Sequence, residues 1–77
     1  MNTQPTDTQQ KILDAAIDVF AQKGFHDTRV DEIVDASKTS KGAVYFYFPS
    51  KQDIFLAIID KFAGLLEERL KSAIAQD

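Results

Sequence analysis

The apolar positions of this chain fall on helical spacing in four stretches, separated by short polar breaks. In the first, Ile12, Leu13, Ala16, Ile17 and Phe20 stand at i, i+1, i+4, i+5 and i+8, while Asp14, Asp18 and Gln22 lie off that face. The spacing predicts a helix over about 8–23. Gly24 stops it, because glycine takes the left-handed conformation of a helix end without a Cβ penalty, and Phe25 is placed to fold back on the last turns. A short second helix is expected over about 29–37, with Val30, Ile33 and Val34 inward. Thr28-Arg29-Val30-Asp31 has nearly the shape of a capping box, which puts Thr28 at the N-cap and Asp31 near the positive helix start. Ser37-Lys38-Thr39-Ser40 reads as a turn, and Thr39 or Ser40 suits the N-cap of a third helix over 41–47. Pro49 ends that helix, since the residue before a proline is pushed out of the helical region. Ser50-Lys51-Gln52-Asp53 resembles a second capping box and opens a fourth helix, carried to about residue 75 by Ile54, Phe55, Ile58, Ile59, Phe62, Leu65, Leu66 and Leu70. Gly64 interrupts it, and on this reading marks a close packing contact or a bend.

The pattern predicts an all-α fold: a small helical bundle containing a helix-turn-helix at about 29–48 and a long fourth connector helix. The domain covers 8–77, preceded by a loose tail at 1–7. A rival assignment of 44–48 as a strand would leave a lone strand among helices with unpaired backbone groups.

Tyr45-Phe46-Tyr47-Phe48 holds half of the chain's eight aromatic residues. Consecutive helical positions point in different directions, so one small core cannot bury all of them. At about 100° per residue, Val44 and Phe48 fall together and face the core. Gly42, Ala43 and Phe46 fall on the opposite side, flanked by Tyr45 and Tyr47. The outward face is then a platform of small residues, one exposed phenylalanine and two hydroxyl-bearing rings, bracketed in sequence by Lys41 and Lys51. Glycine and alanine let a partner approach the backbone closely, and the tyrosines and lysines offer hydrogen bonds and charge at its edges. Two short helices joined by a tight turn form a helix-turn-helix, whose second helix enters the major groove of DNA.

Charge changes this picture less than it first promises to. The 77 residues carry a net charge of −3, which by itself argues against nucleic acid. The acids are unevenly placed, however. Asp7, Asp14, Asp18, Asp27, Asp31, Glu32 and Asp35 precede an acid-free window at 36–52, which holds Lys38, Lys41 and Lys51 together with the aromatic run. Salt confines charge effects to about 10 Å at 0.1 M, so a local basic window still binds an anion on an acidic protein. Other classes fall away. The single histidine, His26, lies in a loop without a second catalytic partner at a telling spacing, and with no cysteine present there is no ordinary zinc site. An enzyme is the weakest reading, and no cofactor is expected. No apolar run is long enough to span a membrane, and the polar N-terminus is unlike a signal peptide, so the default compartment is the cytoplasm.

The stretch 12–58, 47 of the 77 residues, resembles the N-terminal DNA-binding domain of tetracycline-repressor (TetR) family transcriptional regulators. The matching pieces are ILDAAIDVFAQKGF, then TRVDEI, then SKGAVYFYFPSK, in the family's order and spacing. The resemblance implies a homodimeric regulator, usually a repressor, on double-stranded DNA carrying a palindromic operator. A small-molecule inducer would bind a separate C-terminal domain. It implies that Thr28 and Arg29 open the motif's first helix near the DNA backbone. Thr39, Ser40, Lys41, Gly42, Ala43 and Phe46 would lie where the recognition helix meets bases and phosphates, and Tyr45, Tyr47 and Lys51 would touch phosphates. The turn departs from the pattern. Members often carry glycine where Lys38 stands and an apolar residue where Thr39 stands, which calls for a left-handed Lys38 or an altered turn. Members also carry a ligand and dimer domain that this chain lacks, so the expectation is a fragment whose fourth helix is the connector. The competing reading is a helical protein-interaction module. The apolar arc of the fourth helix spans about 200°, wider than one core face needs, and its end at 65–74 is expected to overhang the short helices.

Overall fold

A computed structural model describes residues 7–75 and forms α1 (Asp7–Lys23), α2 (Val30–Ser37), α3 (Lys41–Tyr47) and α4 (Lys51–Ala75). The tail expected at 1–7 lies outside the described residues except for Asp7, which already opens α1 with an acid at its positive end.

Each helix sends at least one aliphatic side chain to full burial. Ile12, Ile33, Val44 and Ile54 are each 0% exposed, and Leu13, Ala16, Phe48 and Ile58 close around them. Ile17, Phe20, Val30, Val34, Tyr47 and Ala57 pack on this cluster from its edges. The inward residues expected from helical spacing on α1, α2 and α3 are among these, as are Ile54 and Ile58 of α4, whereas Phe55 and Ile59 of the same apolar arc are exposed. Burying one such aliphatic side chain stabilises by about 1.5–3 kcal/mol, so the two short helices, α2 and α3, are held mainly by this shared centre.

The connections show how local chemistry sets the ends. Gly24 has φ +85°, and its N–H donates to the Phe20 carbonyl at 2.8 Å. Phe25 folds back as expected, its ring centroid 5.5 Å from that of Phe20 and 5.2 Å from that of Phe55. The N-cap of α2 is a correction. Thr28 does not cap it: the Thr28 hydroxyl donates to the Gly24 carbonyl at 2.7 Å, and the residue is buried. Arg29 takes the cap position with extended backbone, φ −106° and ψ 147°. Its N–H donates to the Glu32 carboxylate at 2.8 Å, so the box forms one residue later than Thr28 and Asp31 predicted. Only half of it exists, since a guanidinium has no acceptor to return. The Lys23 ammonium, followed by that N–H, holds the Glu32 carboxyl below its ordinary value.

Lys38 is left-handed, at φ 58° and ψ 37°. The Lys38 N–H donates to the Asp35 carbonyl at 3.2 Å and the Thr39 N–H to the Val34 carbonyl at 3.3 Å. These two bonds form a Schellman ending, a geometry that favours glycine at this position. Ser40 caps α3, its hydroxyl oxygen accepting the Ala43 N–H at 3.0 Å. Phe48, just before Pro49, is extended at φ −136° and ends the helix. Ser50 caps α4, its oxygen accepting the Asp53 N–H at 3.2 Å while its hydroxyl donates to the Asp53 carboxylate at 2.8 Å.

In α4 only Ile54 and Ile58 are buried, and every residue from Phe62 to Ala75 is exposed. The described residues extend 47 × 30 × 17 Å, the long axis reflecting this overhang. Gly64 corrects a second expectation. A Cβ added there would meet nothing within 4 Å, so the glycine marks no close packing contact, and α4 runs through it unbroken.

Two substitutions test this architecture. Ile33→Ala should cost about 2–5 kcal/mol, comparable with the whole stability of so small a domain, and abolish the cooperative urea transition followed by circular dichroism. A loss below about 1 kcal/mol would show that the centre is not shared in this way. Gly64→Ala should stabilise α4 by about 0.5–1 kcal/mol, read as helical signal retained to higher temperature. A lower melting curve would mean that the glycine has a packing role.

Candidate nucleic-acid interface

The outward face of α3 is built by what its inward face is tied to. Val44 is 0% exposed and Phe48 is buried, which fixes the rotation of this two-turn helix. Phe46 then stands 79% exposed, with Tyr45 beside it at 41%. Gly42 is exposed, and Ala43 and Tyr47 are half-buried. Among the described residues a Cβ added at Gly42 would meet only the Ser40 hydroxyl oxygen within 4 Å, at 3.9 Å, so this part of the helix is open to close approach. The Tyr47 ring packs on the core and lies edge-on to Phe46, with centroids 5.0 Å apart. It supports the exposed ring from one side.

The rim is cationic and uneven. Lys38 and Arg29 are exposed. The Lys41 ammonium lies 3.4 Å from the Asp31 carboxylate in the first turn of α2. Asp31 was not singled out from the sequence as an interface residue. The signal was present, an acid ten positions before a lysine across a predicted turn, but pairing them needs the relative placement of α2 and α3.

Three expected contact residues turn out to be engaged inside the chain. The buried Thr28 is bonded to Gly24. The Ser37 hydroxyl donates to the Val34 carbonyl at 3.1 Å, so in the 2.7 Å contact between Ser37 and Thr39 it is Thr39 that donates. The Lys51 ammonium meets the carbonyls of Phe25 at 2.6 Å, Thr28 at 3.0 Å and His26 at 3.5 Å, and lies 4.3 Å from the centre of the Phe25 ring. It ties the start of α4 to the loop before α2. Ser40 differs from these three, since its oxygen accepts the Ala43 N–H while its own proton is left for a partner. The face that remains open therefore comprises Lys38, Ser40, Lys41, Gly42, Ala43, Tyr45 and Phe46, with Tyr47 beneath, while Arg29 stands exposed at the start of α2.

Among the described residues no group of acids and histidine is placed to hold a metal ion, and no helix is long and apolar enough to cross a membrane.

The sequence profile of the bacterial regulatory proteins of the tetR family matches residues 12–58. The chain is 43% identical over 54 residues to the uncharacterized HTH-type transcriptional regulator YuxN of Bacillus subtilis, covering 70% of this chain and 19% of that protein. It is 36% identical over 64 residues to the HTH-type transcriptional regulator RutR of Escherichia coli, covering 83% and 30%. It is 32% identical over 66 residues to the fatty acid metabolism regulator protein of Bacillus subtilis, covering 86% and 34%. The chain thus spans between about a fifth and a third of the length of these relatives. No solved structure matches it. The matched residues carry both helices of the motif and the core that orients them, and the chain belongs to the tetR family of bacterial regulatory proteins.

Proposed function

We propose that this chain reads double-stranded DNA through the outward face of α3, as the DNA-binding part of a transcription regulator acting in the cytoplasm and not of an enzyme. The observation that carries the reading is Phe46, a large apolar ring 79% exposed on a helix whose opposite face is locked in the core, inside a window without acids. An α-helix fits the major groove, where the methyl group of thymine offers an apolar contact that alanine and phenylalanine side chains match. Ala43 and Phe46 supply that chemistry, and Gly42 lets the helix backbone come close. Ser40, Lys41 and Lys38, with Arg29, reach phosphates on either side. Lys51 and Thr28 act as positioning residues that hold the loop before α2.

In this reading the regulator is a repressor. Two copies act on a palindromic operator, each α3 entering one of two successive major grooves about one helical turn apart. The relatives' greater length supports assigning dimer formation and the response to a small-molecule inducer to segments beyond the matched region. Joining two weak half-site contacts raises their effective concentration and so the affinity.

A second reading rests on α4. Phe55, Leu56, Ile59, Phe62, Leu65, Leu66, Leu70 and Ile74 are exposed along one helix, an apolar surface that suits a protein partner. Salt separates the two.

Fluorescence anisotropy with a labelled 24-base-pair duplex is the direct test. Lys41→Glu and Phe46→Ala should each weaken binding about tenfold or more while leaving the helical circular dichroism unchanged, because both side chains are exposed. Unchanged binding by both folded variants would move the interface away from α3. With Arg29, Lys38 and Lys41 as cationic contacts, the logarithm of affinity should fall against the logarithm of salt with a slope of about −2 to −3 for one copy and about −5 for two. A slope near zero would favour the protein-interaction reading.

A further inference from the structure

We infer that Asp31 is an affinity-lowering residue of the DNA interface, an internal competitor that occupies Lys41 until a phosphate displaces it. The inference rests on the DNA-binding reading above and extends it to a residue outside the recognition helix.

The geometry is particular to this residue. Among the described residues, Asp31 is the one carboxylate paired with a cation of the acid-free window. Its neighbours on α2 are placed differently. Glu32 is held by the Lys23 ammonium and the Arg29 N–H, and Asp35 has no side-chain partner among the described residues. Lys41 opens α3 with a side chain 65% exposed, facing an Asp31 side chain 70% exposed. Neither group is locked by burial, so the pair exchanges partners readily. A carboxylate and a phosphate oxygen present the same charge and acceptor chemistry to an ammonium. For Lys41 to contact a phosphate it must leave Asp31, and the released carboxylate then stands next to the DNA backbone. Both effects oppose binding on every sequence. The cost is the same on every sequence, so it lowers affinity throughout without changing the ratio between sites. Asp31 therefore lowers the retention of the regulator on bulk DNA. The device is local, because an exposed pair of this kind acts within about one Debye length.

The experiment measures binding of the 77-residue chain to a labelled 24-base-pair duplex of mixed sequence at 50 mM salt. It compares the parent with Asp31→Asn, Asp35→Asn, Lys41→Gln and the double variant Asp31→Asn/Lys41→Gln. Asp31→Asn should bind about two- to fivefold more tightly, the scale of one exposed ion pair. Its salt slope should steepen by up to about 0.9, since no cation is taken up beside the freed carboxylate. Asp35→Asn removes the same charge from the same helix and should gain less. In the Lys41→Gln background the gain from Asp31→Asn should shrink by at least half. A gain equal to that of Asp35→Asn, a gain unaffected by Lys41→Gln, or weaker binding by Asp31→Asn would each overturn the role of Asp31 while leaving the DNA reading intact. Absence of DNA binding by the parent and every variant, all folded by circular dichroism, would overturn both.

Discussion

The structure depends on one meeting point. Ile12, Ile33, Val44 and Ile54 come from four different helices and are sealed from water within one cluster. None of the short helices would persist in isolation. A helix of seven or eight residues is below the length at which backbone hydrogen bonding offsets the cost of nucleation. The helical form of α2 and α3 is therefore a tertiary property. The rotation of α3 about its axis follows from the same contact, because Val44 and Phe48 leave it one way to sit. What the recognition face displays is determined by what the centre takes away.

Around that centre, polar groups are assigned to joints. Lys51 is the clearest case, a cation twenty-five residues from the carbonyl of His26 that also gathers those of Phe25 and Thr28 beside an aromatic face. An ammonium with three donors satisfies carbonyls that a helix-to-helix loop would otherwise leave to solvent. Thr28 bonded to Gly24, and Ser37 bonded to Val34 and Thr39, serve in the same way. Among the described residues no buried side-chain polar atom is left without a partner. The consequence for the interface is a division of labour among residues that look alike in sequence. Lys41 and Lys51 flank the same aromatic run, yet one points to an exposed carboxylate and the other into the joint.

This division marks what was legible in the sequence. The four helices, the inward residues and the two faces of α3 followed from local periodicity and from Gly24, Ser40, Pro49 and Ser50, whose effects act within a few residues. The left-handed Lys38 was legible as a departure from the glycine that this turn prefers. The N-cap of α2 was misplaced by one residue, because Thr28 had two possible acceptors and donors in reach and the deciding one, the Gly24 carbonyl, belongs to the previous helix end. Gly64 was ambiguous for a related reason. A glycine in a helix reports that a side chain is missing, and only its surroundings tell whether something else fills the space. The engagement of Lys51 and of Asp31 depends on partners that are far apart or across a turn, so spacing alone did not reveal either.

The seven residues of α3 have a further consequence. A helix of two turns is nearly all ends, and its order is borrowed from neighbours that are themselves short. Because α3 is too short to hold its form alone, melting the centre removes its outward face as well. The packing that builds the core and the packing that displays the outward face are the same contacts. Temperature or denaturant that unfolds the centre therefore takes the exposed face of α3 with it.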